Sequence, residues 1–433
     1  MKRGKSVYCL SLGCAKNRVD SERFLAVLQK RGFSLVSNPE GADICIVNTC
    51  GFIQPAVEES IAAILDLLQL RDQGVVQKVG VVGCLLNRYK EELRKELSEV
   101  DFWAASEDID SLLAGIEEVP VETWPAERTL IPGQHPFTRY LKLVEGCDNN
   151  CTYCTIPSIR GSVRSLSIKQ LVAESQQLIS AGAKELCLVG QDLTMYGTDW
   201  GGSSKLIELL DALESSLPKD IWLRLLYLHP NRVDRSLLER VARGHQLLPY
   251  LDIPIQHASP EILAAMNRAS SEGFLENLFT QARAIRSDFT LRTTCMVGFP
   301  GEGKKQFEEL LHFLKKVQLD RVGAFTYWPE EGTPAASMKG QVSEKIKQSR
   351  LQRLMSLQQE ISFKRQRLFV GSEMDVLVES LTEGVAEGRS FREAPDVDGI
   401  VEVQGVRSNL QIGDKIRVRM IEAMEHDMIG EEA

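Results

Sequence analysis

The spacing of apolar positions changes character several times along this chain. Through residues 1–120, short β-rich runs (SVYCLSLGC, ADICIVNTC, KVGVVGC) alternate with SERFLAVLQKRG and AVEESIAAILDLLQLRDQG, whose apolar residues recur at helical spacing. The first helical run ends at Gly32, a residue suited to the left-handed turn after a helix. This alternation predicts an open α/β layer with parallel strands. Residues 121–137, with Pro125, Pro132 and Pro136 inside and Pro120 at the edge, read as a linker. Over residues 138–341 the alternation resumes with six strand candidates: RYLKLVEGC, KELCLVGQDL, IWLRLLYLHP, YLDIPIQHAS, FTLRTTCMVGFPG and RVGAFTYWP. Helical runs such as IKQLVAESQQLISAG, KLIELLDALESS, RSLLERVARG, EILAAMNR and QFEELLHFLKKVQ separate them. Six strand–helix units predict a partial (β/α)6 barrel, whose chemistry belongs at the C-terminal ends of its strands.

Beyond the barrel, residues 342–369 pattern as one long, basic, amphipathic helix. Residues 370–433 hold short β-rich pieces (SEMDVLVESL, GIVEVQGV, DKIRVRMIEAM) separated by Gly, Pro, Asn and Asp. These predict a small closed β-barrel of the OB-like kind. The whole is thus an α/β chain of 433 residues, long enough for two to four cores.

Composition adds two constraints. At 43% hydrophobic and 26% charged the chain has ordinary globular usage. It has no apolar run of membrane-spanning length and no charged-then-apolar leader, so a cytoplasmic location without a membrane partner is expected. Ten cysteines in that setting argue for metal or redox chemistry over a disulfide framework. Charge is uneven: residues 370–433 carry fifteen Asp/Glu and six Lys/Arg, a balance of −9 that equals the net charge of the whole chain. An acidic module of this kind repels a phosphate backbone and suits a basic protein partner, though it also suits a solvated surface with no partner.

The densest chemistry lies in EGCDNNCTYC, where Cys147, Cys151 and Cys154 form a C-x3-C-x2-C array. An iron–sulfur cube usually takes four cysteines, so three leave one iron for another ligand. Structural zinc would need a fourth Cys or His at short spacing, and no His is nearer than His135 or His229. A second set, Cys14, Cys50 and Cys84, stands at the predicted C-terminal ends of three strands in the first domain. Their separations each match one strand–helix–strand unit, so neighbouring strands bring them to the crevice where open parallel sheets bind ligands. Cys9, Cys45, Cys187 and Cys295 fall inside strands and read as small buried hydrophobes. His229 and His257 read as hydrogen-bonded rim or core residues.

The cysteine loop resembles the signature of radical S-adenosylmethionine (SAM) enzymes. With SLGCAKNRVDSE, VNTCGFI and VVGC it makes essentially the whole chain resemble the methylthiotransferase family within them, with a TRAM-like C-terminal domain. The resemblance implies two 4Fe-4S clusters. Cys147, Cys151 and Cys154 would hold the one that binds and cleaves SAM. Cys14, Cys50 and Cys84 would hold an auxiliary one that carries the sulfur. SAM would serve as methyl donor and as radical source. LDIPIQHAS, GQDLTMYG and EGRSFREAPDVDGIVEV resemble the branch acting on an aspartate β-carbon of small-subunit ribosomal protein S-twelve, a basic protein. The alternatives are a tRNA adenosine methylthiotransferase, which would bind RNA, and a non-catalytic iron–sulfur redox protein. An electron donor is implied as a further partner. Candidate SAM contacts are Tyr153, Gln191, Gln256 and the turn at Gly298. One departure stands out: where the family often reads R-G-x-x-R-S-R, Arg160-Gly161-Ser162-Val163-Arg164-Ser165 is followed by Leu166, and Lys169 is the candidate replacement cation.

Overall fold

The computed structural model describes residues 5–116 and 127–433, so the first part of the expected linker, up to residue 126, lies outside the described residues. The N-terminal sheet contains β1 (Ser6–Ser11), β2 (Ser34–Val36), β3 (Ile44–Thr49), β4 (Lys78–Gly83) and β5 (Phe102–Ala105). All pair in parallel, in the order β2-β1-β3-β4-β5. Central β3 is buried at every position, as a parallel strand must be when helices cover both faces. On one face α1 (Ala15–Lys30) packs Phe24, Leu25, Val27 and Leu28 against Val7, Ile44 and Ile46. On the other, α2 (Gln54–Asp72) packs Val57, Ile64, Leu67 and Leu68 against Val47, Val79 and Val81.

The central domain opens with β6 (Thr138–Lys142). A small hairpin, β7 (Val144–Glu145) with β8 (Arg164–Ser165), then encloses the cysteine loop. The remaining strands are β9 (Glu185–Val189), β10 (Trp222–Leu225), β11 (Leu247–Asp252), β12 (Thr290–Val297) and β13 (Arg321–Thr326). They join β6 in one parallel sheet in strict chain order. One barrel helix, Phe274–Ile285, escapes the pattern reading although Leu275, Leu278, Phe279 and Ala282 form its buried stripe. The long helix Glu344–Arg367 forms as expected, but four of its six buried residues are polar. Gln358 donates to Leu319 O at 3.0 Å and Ser362 to Asp320 O at 3.0 Å, so the helix is fastened to the sheet by hydrogen bonds as well as by Leu354 and Ile361.

The C-terminal barrel closes through β14 (Glu373–Thr382), β15 (Val385–Arg389), β16 (Val401–Gln404), β17 (Lys415–Ala423) and β18 (Met428–Glu432). Its EAPDVDG loop buries Glu393 and Ala394 and leaves Asp396 and Val397 exposed. It enters the base of the partial barrel, where the strands begin. Glu185 there receives Arg224 and Arg389 at 2.6 Å each, Arg321 pairs with Glu393 at 3.0 Å, and Tyr140 and Tyr250 donate to Asp396 and Asp398 at 2.6 Å. The loop buries Arg389, Arg392, Glu393 and Asp398, two of each sign, so the balance of −9 remains on the outside of the C-terminal domain.

Candidate functional site

All six predicted cysteines line one cavity of about 280 Å³ between the first sheet and the top of the partial barrel. Cys14 is the N-cap of α1, Cys50 directly follows β3, and Cys84 opens α3 (Cys84–Glu96). Close approach of these strand ends requires Gly13: its φ is +82°, and a Cβ there would meet Cys50 Cβ at 2.7 Å. Gly146 does the same for the second set. Its φ is +73°, and a Cβ would lie 2.1 Å from Ser162 O, so only glycine lets the loop turn back before Cys147.

Asn17 fastens the first set by donating to Leu12 O at 3.1 Å and Thr49 O at 2.9 Å. Its Oδ1 accepts from Arg160, whose Nε also reaches Cys84 Sγ at 3.1 Å. Arg160 belongs to α5 (Ile156–Arg160) of the cysteine loop, so one guanidinium ties the two triads together. Around it, Lys142 bridges Asp20 at 2.5 Å, Glu145 at 2.6 Å and Glu107 at 2.9 Å. Asp20, Glu107 and Glu145 cluster closely enough to suggest a metal site, but Lys142, Arg160 and Arg164 already neutralise them.

Burial pushes the Cys84 and Cys154 thiols up to about 12 and raises those of Cys50 and Cys147. Thiols so placed need a metal's charge to become thiolates. Among the described residues neither triad brings three sulfurs within 4.8 Å of one another. Three thiolates on a single tetrahedral zinc would sit about 3.8 Å apart. The wider spacing fits a multi-iron group. The rest of the lining fits a polar organic ligand, because Gln191 Oε1, Gln256 Oε1 and Arg268 Nε are buried without partners.

The structure brings Tyr153, Gln191 and Gln256 into this cavity, and Gln256 holds a φ of +71° at the end of its strand segment. Gly298 lies outside the lining, where its N–H donates to Glu302 at 2.6 Å and a Cβ would strike Lys347. Lys169 is exposed on the outer helix and does not replace the missing arginine; Leu166 packs on the barrel core. The cations of the cavity are Lys16, Arg160 and Arg268, which the sequence reading missed. CAKN beside Cys14 was a usable signal for Lys16, whereas Arg268 had none. His229 lines the cavity with its ring held neutral, its pKa lowered to about 2 by burial and by Arg268 and Arg232. Cys9, Cys45, Cys187 and Cys295 are buried in strands away from the cavity.

A partial parallel barrel with a three-cysteine loop at its top defines the class: this is a radical SAM protein with a second cysteine triad set against the first. Family models agree, matching Uncharacterized protein family UPF0004 over residues 6–105, the Radical SAM superfamily over 141–314 and the TRAM domain over 370–432. A ribosomal protein uS12 methylthiotransferase RimO from Geobacter sulfurreducens is 40% identical, with 99% of this chain and 98% of that one covered. The protein of the same name from Citrifermentans bemidjiense is 41% identical, with 99% of each covered. The chain belongs to the RimO family of methylthiotransferases. Among solved structures, the radical SAM methyltransferase TsrM from Kitasatospora setae superposes with a TM-score of 0.56 at 12% identity, covering 89% of this chain and 78% of that one, a likeness of fold.

Proposed function

We propose that this chain transfers a methylthio group to the β-carbon of an aspartate in ribosomal protein uS12, the substrate named for its relatives. The observation that carries the reading is the meeting of two cysteine triads in one cavity. Cys147, Cys151 and Cys154 would hold the 4Fe-4S cluster that binds SAM, and Cys14, Cys50 and Cys84 the auxiliary cluster. Together these groups supply a one-electron route to an unactivated C–H bond and the methylthio sulfur, chemistry beyond any side chain.

The chain's own residues bind and orient. Phe52, Ile156, Leu228 and Pro254 make much of the wall apolar and limit water. Gln191, Gln256 and Arg268 keep free polar atoms for a nucleoside or methionyl group, and Tyr153, wedged edge-on to Phe299, offers an aromatic wall. Arg160 and Asn17 keep the two triads in register, so that substrate carbon and sulfur source can share one cavity.

The acidic exterior of the C-terminal domain favours a basic protein over tRNA. The test is anaerobic reconstitution with iron and sulfide, followed by SAM, a reductant serving as electron donor, and a peptide of the uS12 loop. Mass spectrometry is expected to find methylthio on the aspartate, with 5′-deoxyadenosine released. Unmodified peptide beside modified tRNA adenosine would overturn the assignment, and SAM left intact would reduce the chain to a redox protein.

A further inference from the structure

We infer that Lys16 is the specificity residue that receives the γ-carboxylate of the substrate aspartate and so fixes which carbon is presented between the two triads. The inference rests on the reading of the chain as an aspartate methylthiotransferase.

Lys16 stands in the first turn of α1, two residues after Cys14, and its side chain lines the shared cavity. Its ammonium sits 4.1 Å from the centre of the Tyr227 ring, a cation–π seat. Among the described residues it makes no hydrogen bond or ion pair with the protein. The other two cations of the lining donate to protein acceptors, although Arg268 keeps its Nε free. Arg160 is held by Asp20, Glu145, Asn17 and Cys84. Arg268 donates to Pro254 O at 2.7 Å and to Cys151 Sγ at 3.5 Å. Asp192, the carboxylate in the lining, is satisfied by Asn149, Thr194 and Arg232. Lys16 is therefore the cavity cation that donates to no protein acceptor, its nearest charge partners being Cys14 and, farther off, Glu145.

The seat is built at a backbone cost. Tyr227 has a φ of +66°, a conformation that a bulky residue adopts only when its surroundings impose it. The imposing bonds are present: its N–H donates to Asp252 Oδ2 at 3.0 Å, and its carbonyl accepts from Leu193 N at 3.0 Å. Asp252 is itself fixed by Arg292 at 2.9 Å. This strain aims one ring into the cavity beneath one ammonium. A carboxylate entering the cavity can take the open side of that ammonium without displacing any protein anion. In aspartate the carboxyl carbon is bonded directly to the β-carbon, so pinning the carboxylate places the reacting carbon. A neutral asparagine keeps the same C–H bond and loses the ion pair.

A carboxylate could also come from the methionyl end of SAM, and the test separates the two sources. Reconstituted wild-type, Lys16→Gln and Lys16→Arg proteins are titrated anaerobically with the uS12 loop peptide carrying Asp or Asn at the modified position. Binding and turnover are both read as Asp/Asn ratios within each preparation, which cancels differences in cluster loading. Wild type is expected to prefer Asp by about 30-fold or more, the scale of a desolvated charge pair losing one partner. In Lys16→Gln the ratio should fall to about threefold or less, while Lys16→Arg retains most of it.

An unchanged Asp/Asn ratio in Lys16→Gln overturns the inference. So does weakened SAM binding in that variant with the ratio intact, which would assign Lys16 to SAM. If Lys16→Gln turns over neither peptide, the binding ratio decides alone. A wild type that methylthiolates the Asp peptide yet shows no preference over Asn sinks the role of Lys16 and leaves the function standing. A wild type that never modifies the Asp peptide overturns the function and this inference with it.

Discussion

Arg160 links the two triads, because it stands on the helix of the cysteine loop while its guanidinium holds the first triad. Its guanidinium is buried and spreads over Cys84 Sγ at 3.1 Å, Asp20 at 2.9 Å, Glu145 at 3.3 Å and Asn17. Arg160→Met keeps most of the volume and removes the charge. Deleting one partner of a buried pair costs about 3–5 kcal/mol, because the other charge stays behind. Here Lys142 still compensates Asp20 and Glu145, so the expected loss lies near about 3 kcal/mol, or roughly a hundredfold in the docking equilibrium of the two domains. Cys84 loses its cationic neighbour, whereas Cys147, Cys151 and Cys154 do not touch Arg160 through any polar contact. The variant should therefore reconstitute with about half the wild-type iron and keep SAM cleavage while losing sulfur transfer. Arg160→Lys should fall between, since a single ammonium cannot span the same fork. Iron and sulfide per chain, with 5′-deoxyadenosine and methylthiolated peptide measured on one preparation, provide the assay. Full iron content with undiminished transfer in Arg160→Met would refute the reasoning.

Other outcomes follow from the same geometry. Gly146→Ala should abolish SAM cleavage, because the added Cβ collides with Ser162 O and the φ of +73° costs a non-glycine residue about 1–3 kcal/mol; retained 5′-deoxyadenosine formation would contradict it. Lys169→Ala should alter neither turnover nor stability beyond about 0.5 kcal/mol, since the side chain is exposed and outside the cavity. His257, its pKa lowered to about 3 by burial and by Arg350, contributes stability that is complete above pH about 6.5 and is lost as pH falls toward 3. His257→Gln should therefore reduce the drop in denaturation free energy between pH 7 and pH 5 by up to about 2 kcal/mol, read from urea midpoints. Glu185 acts lower: burial alone would raise its pKa, but Arg389 and Arg224 hold it down to about 2, so its contribution is present above pH about 4.5 and lost between there and 2. Arg389→Met should shrink that lower limb, Arg224 remaining paired to Glu185, and loosen the C-terminal barrel, detectable as faster proteolysis near residues 368–372.

The six cysteines and the six-strand core were legible because each depends on local order. A C-x3-C-x2-C spacing closes its own loop, and a strand–helix–strand repeat returns the chain to the same end of a sheet. Lys16, Arg160 and Arg268 were not legible as a set: they come from α1, α5 and the loop after Pro260–Ala265, and nothing in their spacing says that they share a cavity. The polar part of the long helix's buried face was illegible for a related reason, since Gln358, Ser362 and Gln366 look like solvent residues until the carbonyls they meet are known. The EAPDVDG segment showed only its resemblance to one branch of the family; that it enters the barrel base depends on Arg224, Arg321 and Arg292, which meet its carboxylates and the carbonyl before it.

By itself, then, the sequence determined the class of fold, the placement of both cysteine triads at strand ends and the acidic balance of the C-terminal domain. These follow from periodicity, spacing and composition, which act within a few dozen residues. Only the tertiary structure decided that the triads open into one cavity, that Arg160 bridges them and that Lys16 sits over the Tyr227 ring in that cavity. Those are questions of which distant charges meet, and burial makes each such meeting worth far more than its place in the chain suggests.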